Sequence, residues 1–332
     1  MQTRQIHLKR RPEGLPVSDD FALVSIDLPD LTAGQVLVRN RYMSVDPYMR
    51  GRMRDSASYA APFATGAPLD GHSVGEVVAS ADPNYAEGDA VTGFGAWREH
   101  FIALGKDLAR VDPTHAPLQT YIGTLGMPGM TAYVGLLDIG RAEAGQTVFV
   151  SAAAGAVGSI VGQIAKIKGC RVVGSAGSEA KVAWLTSEAG FDAAFNYKTV
   201  EHLPDALVHH CPEGIDLYYD NVGGAHLEAA IAHMNMHGRI ALCGMIGHYN
   251  ATEPAPGPRN LMLAVGKRLA LQGFIVSDHE ERRADFYTDM GAWIAAGKIT
   301  WRETVVRGLE NAPEAFIGLF HGNNFGKMVV EL

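Results

Sequence analysis

Thr147-Val148-Phe149-Val150-Ser151, followed by Ala152-Ala153-Ala154-Gly155-Ala156-Val157-Gly158, reads as a strand running into a tight turn. The opening residues alternate β-branched and aromatic types with apolar side chains on both faces, as a strand buried inside a parallel sheet does. Beyond the turn, Val157, Ile160, Val161, Ile164 and Ala165 recur at helical spacing over residues 157–168, and Gly169 supplies the stop. Strand, small-residue turn and helix are the setting that a dinucleotide fingerprint requires. Set against G-x-G-x-x-G, residues 153–158 carry alanine in the first glycine position. Gly155 lets the backbone approach a pyrophosphate, Gly158 lets the helix pack on the strand, and the helix N-terminal amides face the phosphates.

A second strand, residues 171–176, ends where the cofactor is chosen. An NAD site places Asp or Glu about 20 residues beyond the glycines to hold the ribose hydroxyls. Here that place is Ser175, followed by Ala176-Gly177-Ser178, with Glu179 the first carboxylate and Lys181 close behind. A carboxylate repels a 2′-phosphate, whereas hydroxyls, a helix N-terminus at Ser178 and the Lys181 ammonium hold one. NADP is therefore the expected cofactor. The plain alternative is a Ser178 that only caps its helix and a solvated Lys181.

A length of 332 residues suggests about two domains, and 47% hydrophobic with 19% charged residues is ordinary for a globular enzyme. A net charge of −8 argues against nucleic acid or an anionic membrane as partner. The cysteines Cys170, Cys211 and Cys243 are too scattered for a disulfide or zinc framework and read as reduced thiols. No signal peptide and no apolar run of about 20 residues is present, so a soluble, cytoplasmic protein is expected.

Residues 1–125 differ in texture from the middle of the chain. Short strand candidates at 36–40, 75–78 and 90–93 are punctuated by Gly and Pro, which implies a β-rich, barrel-like domain. From Met127 strands and helices alternate, with further strands expected at 192–197, 215–222, 239–244 and 269–276. Helices are expected near 201–211, 224–234, 259–268 and 280–296. Six such strands with helical crossovers make a doubly wound parallel (Rossmann) sheet. The tail strands at 304–307 and 327–330 do not continue the alternation and are expected to return to the first domain. Asn311 is a candidate cap for the helix between them. The division expected is 1–125 with 299–332 for the barrel, and 126–298 for the inserted dinucleotide domain.

Several stretches together carry a family resemblance: 43–50 (Met-Ser-Val-Asp-Pro-Tyr-Met-Arg), 126–133 (Gly-Met-Pro-Gly-Met-Thr-Ala-Tyr), 152–158, 220–224 (Asp-Asn-Val-Gly-Gly), 243–250 (Cys-Gly-Met-Ile-Gly-His-Tyr-Asn) and 324–327 (Asn-Phe-Gly-Lys). In this order they resemble the zinc-free branch of the medium-chain dehydrogenase/reductase superfamily. Within it they are most similar to the leukotriene hydroxydehydrogenase/prostaglandin reductase group, with curcumin and alkenal reductases. The resemblance implies a chaperonin-10-like β-barrel holding a Rossmann insert. It also implies NADPH-dependent reduction of a carbon–carbon double bond conjugated to a carbonyl, on a small apolar enone or enal. It places cofactor phosphates over Gly155, Ala156, Val157 and Gly158, the 2′-phosphate at Lys181, and Tyr197 beside the adenosine. Asn221, Cys243, Gly244, Met245, Ile246, Tyr249, Phe274, Ile275, Val276 and Asn324 line the rest, with Met127 and Thr131 near the nicotinamide. The group is often dimeric.

Metal is not expected. The superfamily's zinc enzymes have Cys where this chain has Met43 or Ser44, and Gly71-His72-Ser73 lacks the usual carboxylate. His72 is read as a hydrogen-bonded barrel residue. Without a metal, a preorganised donor must meet the charge that builds on the enone oxygen, and Tyr249, just beyond the strand at 239–244, is the candidate. The cofactor's ribose hydroxyl is a second candidate for that role, and the alternative is a Tyr249 that only packs on the cofactor. Tyr48 and Met49 fit a substrate pocket or the barrel core equally well. Two other functions stay open at this level: a quinone reductase using the same cofactor site, and a non-catalytic NADPH-binding protein.

Overall fold

The computed structural model describes residues 1–332. The chain forms two compact units, Met1–Gly126 with Glu303–Leu332, and Met127–Arg302. Seven strands lie before residue 126: β1 (Gln2–Leu8), β2 (Phe21–Asp27), β3 (Gln35–Ser44), β4 (Ser73–Ser80), β5 (Ala90–Gly93), β6 (His100–Leu104) and β7 (Ala109–Arg110). Six follow in the second unit: β8 (Thr147–Val150), β9 (Arg171–Ala176), β10 (Ala193–Asn196), β11 (Ile215–Asp220), β12 (Met234–Leu242) and β13 (Ala270–Gly273). The last two, β14 (Glu303–Arg307) and β15 (Lys327–Glu331), belong to the first unit.

In the first unit the order β14-β15-β3-β4-β5-β7 makes a mixed sheet, with β6 also paired to β3. The C-terminal strand enters it directly, pairing Val329 with Ser44 and Val330 with Met43. β1 and β2 pair with each other, β1 also bridges to Arg98 and Pro68, and the sequence pattern does not reveal β1. Thr3 and Gln5 face inward among Ile6 and Leu8, so its polar and apolar residues do not alternate cleanly. Its core gathers around Trp97, which stacks on Phe21 at 6.0 Å and meets Phe316 edge-on at 6.0 Å.

A buried ion pair ties the two ends of this unit together. The Lys327 ammonium lies 3.3 Å from Asp46, with side chains only 5% and 6% exposed, and donates to the carbonyls of Val45 (3.0 Å) and Met328 (2.6 Å). The second Asp46 oxygen accepts the Ser44 hydroxyl. Desolvation lowers the Lys327 pKa, and Asp46 partly offsets it.

In the second unit the sheet order is β10-β9-β8-β11-β12-β13, parallel throughout. That is the dinucleotide-binding order, with its reversal between β8 and β11. Phe149 stacks on Tyr218 at 5.0 Å and on Phe195 at 6.1 Å beneath the helices Leu203–His210 and Gly224–His233. This unit runs to Arg302 because Gln163 clasps Thr300, donating to its carbonyl (2.8 Å) and accepting its amide (2.7 Å), while Ile299 is buried.

Several elements differ from expectation. The helix expected at 259–268 is only Leu263–Lys267, and that expected at 280–296 is Arg283–Ala295. β12 starts at Met234 and stops at Leu242, leaving 243–246 as loop, and β13 stops at Gly273. Asn311 does not cap its helix. It is already helical (φ −93°, ψ −1°) at the end of the turn Leu309–Asn311, and its side-chain Nδ2 donates to the Arg307 carbonyl instead.

Removing Lys327 strands a buried carboxylate. Lys327→Ala should lower stability by about 3–5 kcal/mol, and adding Asp46→Asn should restore part of it. Denaturant unfolding checks this, and a loss below about 1 kcal/mol would show that the pair is not held out of water.

Candidate functional site

Ser151, at the end of β8, and Asn221, just past β11, face each other across the reversal. Asn221 donates from Nδ2 to the Ser151 carbonyl (2.8 Å) and from its backbone N–H to Ser151 Oγ (3.0 Å). Asp220 beside it is fully buried. Its Oδ1 accepts from Tyr218 Oη (2.6 Å), Ser151 Oγ (3.3 Å) and the amides of Val222 (2.9 Å) and Gly223 (2.8 Å). Burial raises the Asp220 pKa, and these donors pull part of that rise back. Gly223 turns at φ +70°, where a Cβ would also lie 2.9 Å from the Met245 side chain, so only glycine suits the place.

The turn after β8 is tight. Ala152 adopts φ +48°, a left-handed conformation costing roughly 1–2 kcal/mol for a residue with a Cβ, and its carbonyl accepts the Gly155 amide at 3.0 Å. A Cβ on Gly158 would sit 2.5 Å from that same carbonyl, so the glycine lets the helix Gly158–Ile167 start directly against the strand end. Gly155, Ala156 and Val157 lie just ahead of that helix and stay partly exposed, at the end of the helix that suits an anion.

At the end of β9, Ser175 is enclosed and Ser178 is at the surface, capping the helix Glu179–Ser187 by accepting the Lys181 amide at 3.4 Å. The Lys181 ammonium is half-buried. Desolvation lowers its pKa, and the charge of Lys198 lowers it further. Tyr197 Oη and Lys198 Cε both approach Gly177, at 3.2 and 3.3 Å from where a Cβ would stand. Two cations, a phenol and a helix N-terminus on one rim suit a phosphate monoester and not a bare ribose diol.

The loop after β12 completes the rim. The Tyr219 hydroxyl, close to the Cys243 thiol, donates to the Thr131 carbonyl at 2.8 Å, and the Tyr219 ring meets Phe274 edge-on at 6.4 Å. Thr131 Oγ1 in turn donates to the Met127 carbonyl at 2.7 Å. Tyr249 follows the turn Ile246–His248 and is half-buried. Its phenol oxygen accepts the Met245 amide at 3.3 Å and lies 2.9 Å from the place of a Gly244 Cβ. That bond occupies a lone pair of the phenol and not its proton.

Residues 4–111 match a family described as the N-terminal domain of oxidoreductase, and residues 156–296 one described as zinc-binding dehydrogenase. NADPH-dependent curcumin reductase of Escherichia coli (strain K12) is 44% identical over 336 residues, covering 100% of this chain and 97% of its own. The NADP(+)-dependent 2-alkenal reductase of Nicotiana tabacum is 44% identical, covering 99% and 97%. The crystal structure of CurA from Vibrio vulnificus in complex with NADPH superposes with a TM-score of 0.93 at 44% identity, covering 99% and 98%. The chain belongs to the medium-chain dehydrogenase/reductase superfamily. Its group is that of the curcumin, alkenal and prostaglandin reductases, it is an NADP-dependent oxidoreductase, and the residues on the rim of β9 fit that cofactor.

Within this enzyme the sequence-derived site residues fall in two sets. Gly155, Ala156, Val157, Gly158, Ser178, Lys181, Tyr197, Asn221, Cys243, Gly244, Met245, Ile246 and Tyr249 sit on the loops and first helical turns that follow β8 to β12, and Phe274, Ile275 and Val276 follow β13. Met127 and Thr131 lie on the helix Met127–Val134 of the same unit. Tyr48, Met49 and Asn324 lie in the other unit. There Met49 is fully buried with Met43 and Met53 in the core, so the structure favours packing over a pocket role for it. Tyr48 keeps partial exposure, and burial raises its pKa. Asn324 Nδ2 donates to the Gly326 carbonyl at 2.8 Å. His72 meets the Phe94 ring edge-on at 5.0 Å, and no three His, Cys, Asp or Glu side chains gather as metal ligands. Lys198 was missed. Its signal was its place directly after Tyr197, on the loop beyond β10.

The thiols are chemically quiet. Burial pushes Cys211 and Cys243 up to about 12 and raises Cys170. The thiols therefore stay protonated at pH 8, and iodoacetamide should label the native enzyme far more slowly than the unfolded chain. Mass spectrometry reads the outcome. Rapid labelling of native Cys243 with loss of activity would contradict it.

Proposed function

We propose that this enzyme reduces the carbon–carbon double bond of α,β-unsaturated ketones and aldehydes with NADPH, and that Tyr249 is its acid. The observation that carries the reading is the Tyr249 phenol, held by the Met245 amide on the loop after β12, where a doubly wound sheet binds its ligand. The activities for which its relatives are named, on curcumin and on 2-alkenals, support the substrate class.

The turn 155–158 would take the pyrophosphate and Lys181, Ser178 and Tyr197 the adenosine 2′-phosphate end. Asn221, residues 243–246, residues 274–276, Met127, Thr131 and Asn324 would line the remainder. Bound there, NADPH supplies the hydride that the substrate's β-carbon accepts. As that carbon is reduced, negative charge moves to the carbonyl oxygen, and the Tyr249 hydroxyl donates to it there. Because the Met245 amide already sits on the phenol oxygen, the O–H is a stronger donor at the moment the charge develops. The enol that results takes its α-carbon proton from solvent, and the phenol regains its own. No metal is needed in this scheme, so loss of NADPH absorbance with an enone should persist after dialysis against a chelator. Reduction of quinones but not enones would overturn the substrate class.

We also infer a homodimer. β13 is an unpaired edge of the parallel sheet, and the segment just before it, the turn at 261–262 and the helix Leu263–Lys267, exposes Met262 (79%) and Val265 (81%), with Leu261 also exposed. An open strand edge flanked by apolar side chains suits a second copy of this chain. Val265→Asp should shift the species seen by analytical ultracentrifugation toward monomer; an unchanged species would refute it. Three free cysteines suit a reducing compartment, and we read the protein as cytoplasmic. No helix is long and apolar enough to cross a membrane.

The test of Tyr249 is Tyr249→Phe, which keeps the ring and deletes the donor. Loss of one donor aimed at developing charge costs on the order of 3 kcal/mol, so kcat should fall about a hundredfold with KM little changed. A Phe variant with wild-type kcat on an enone would remove Tyr249 from the reaction.

A further inference from the structure

Lys198 follows β10 on an exposed loop, and a solvated lysine would be the ordinary reading of it. Three observations set it apart. Its side chain, although exposed, lies along Gly177, with Cε 3.3 Å from the place of a Gly177 Cβ and Tyr197 Oη 3.2 Å from it. Its backbone is fixed, because Asn196 accepts the Lys198 amide on Oδ1 (3.1 Å). Asn196, itself 8% exposed, also donates from Nδ2 to Glu179 (2.9 Å), on the helix that carries Lys181. One side chain thereby registers the Lys198 loop against the Lys181 helix.

Asn196 has a second effect. Glu179 is the first carboxylate after β9, the residue type that would hold a bare ribose. It is engaged by Asn196 and, at 3.5 Å, by the Thr199 hydroxyl, and no carboxylate forms an ion pair with Lys198. The two ammonium groups are near enough that Lys198 depresses the Lys181 pKa, behind the larger effect of desolvation. Like charges held together on a half-buried rim cost free energy unless an anion joins them, and a phosphate monoester carries about two negative charges at neutral pH.

We propose that Lys198 is a second determinant of the preference for NADPH over NADH, closing on the 2′-phosphate from the β10 side while Lys181 holds it from the β9 side. Asn196 is the positioning residue that registers the two. The inference rests on NADP as the cofactor, and adds to it a residue that the glycine fingerprint does not reach.

The test uses the free enzyme and two probes, 2′,5′-ADP and 5′-AMP, which differ only in the 2′-phosphate. By isothermal titration calorimetry, Lys198→Ala should weaken 2′,5′-ADP about tenfold and leave 5′-AMP unchanged, the loss expected of one charge-assisted contact. Lys198→Arg should retain most of the affinity. In steady-state assays the same Ala variant should raise KM for NADPH, with KM for NADH and both kcat values near wild type. Unchanged 2′,5′-ADP affinity in Lys198→Ala would overturn the proposal, as would equal weakening of 5′-AMP. A wild-type enzyme that bound the two probes equally would instead fault the assignment of this rim as the 2′-phosphate site.

Discussion

One buried carboxylate oxygen holds the dinucleotide unit's working end together. Asp220 Oδ1 gathers donors from the end of β8, from β11 itself and from the turn that follows. Parallel strands end with their carbonyls pointing out of the sheet, and at the reversal between β8 and β11 no neighbouring helix covers the crevice. Four donors on one anion replace the missing cover. They fix Asn221 over Ser151 and set Gly223 into the conformation from which the helix Gly224–His233 begins. The cost is a carboxylate out of water, visible in its raised pKa, and the return is a rim whose loops share one reference point.

From that rim the chemistry divides by charge. The β9 and β10 side is cationic and polar, with Lys181, Lys198, Tyr197 and Ser178. The β12 side is nearly neutral, with a protonated thiol at Cys243, the Tyr219 hydroxyl turned inward to Thr131, and the phenol of Tyr249. Such a gradient orients an elongated, polyanionic ligand before any close contact forms. It also leaves the neutral end suited to a reaction in which a single donor meets transient charge in apolar surroundings.

The barrel unit solves a different problem. Its N-terminal and C-terminal segments must meet although about 300 residues separate them, and the loop closure is entropically costly. Pairing of β15 with β3 supplies the hydrogen bonds, and the Lys327–Asp46 pair supplies a register that a slipped strand could not satisfy. Buried pairs of this kind add little net stability and add specificity through the penalty for breaking them.

The sequence alone determined the parallel sheet, its helical crossovers and the NADP choice. Each depends on local pattern: two-faced apolar runs for β8 and β9, small residues at the turn before Gly158, and the missing acid at Ser175. It also carried the family through short motifs spread over the chain. What it did not reveal depends on contacts between distant residues. β1 was hidden because Thr3 and Gln5 face inward, and Asn311 proved no cap because the preceding turn is already helical. Met49 reads equally as pocket or core until the other side chains are placed. Lys198 lacked any motif of its own. Only the fold brings the ends of β9 and β10 side by side and lets Asn196 engage Glu179, turning two lysines 17 positions apart into one cationic site.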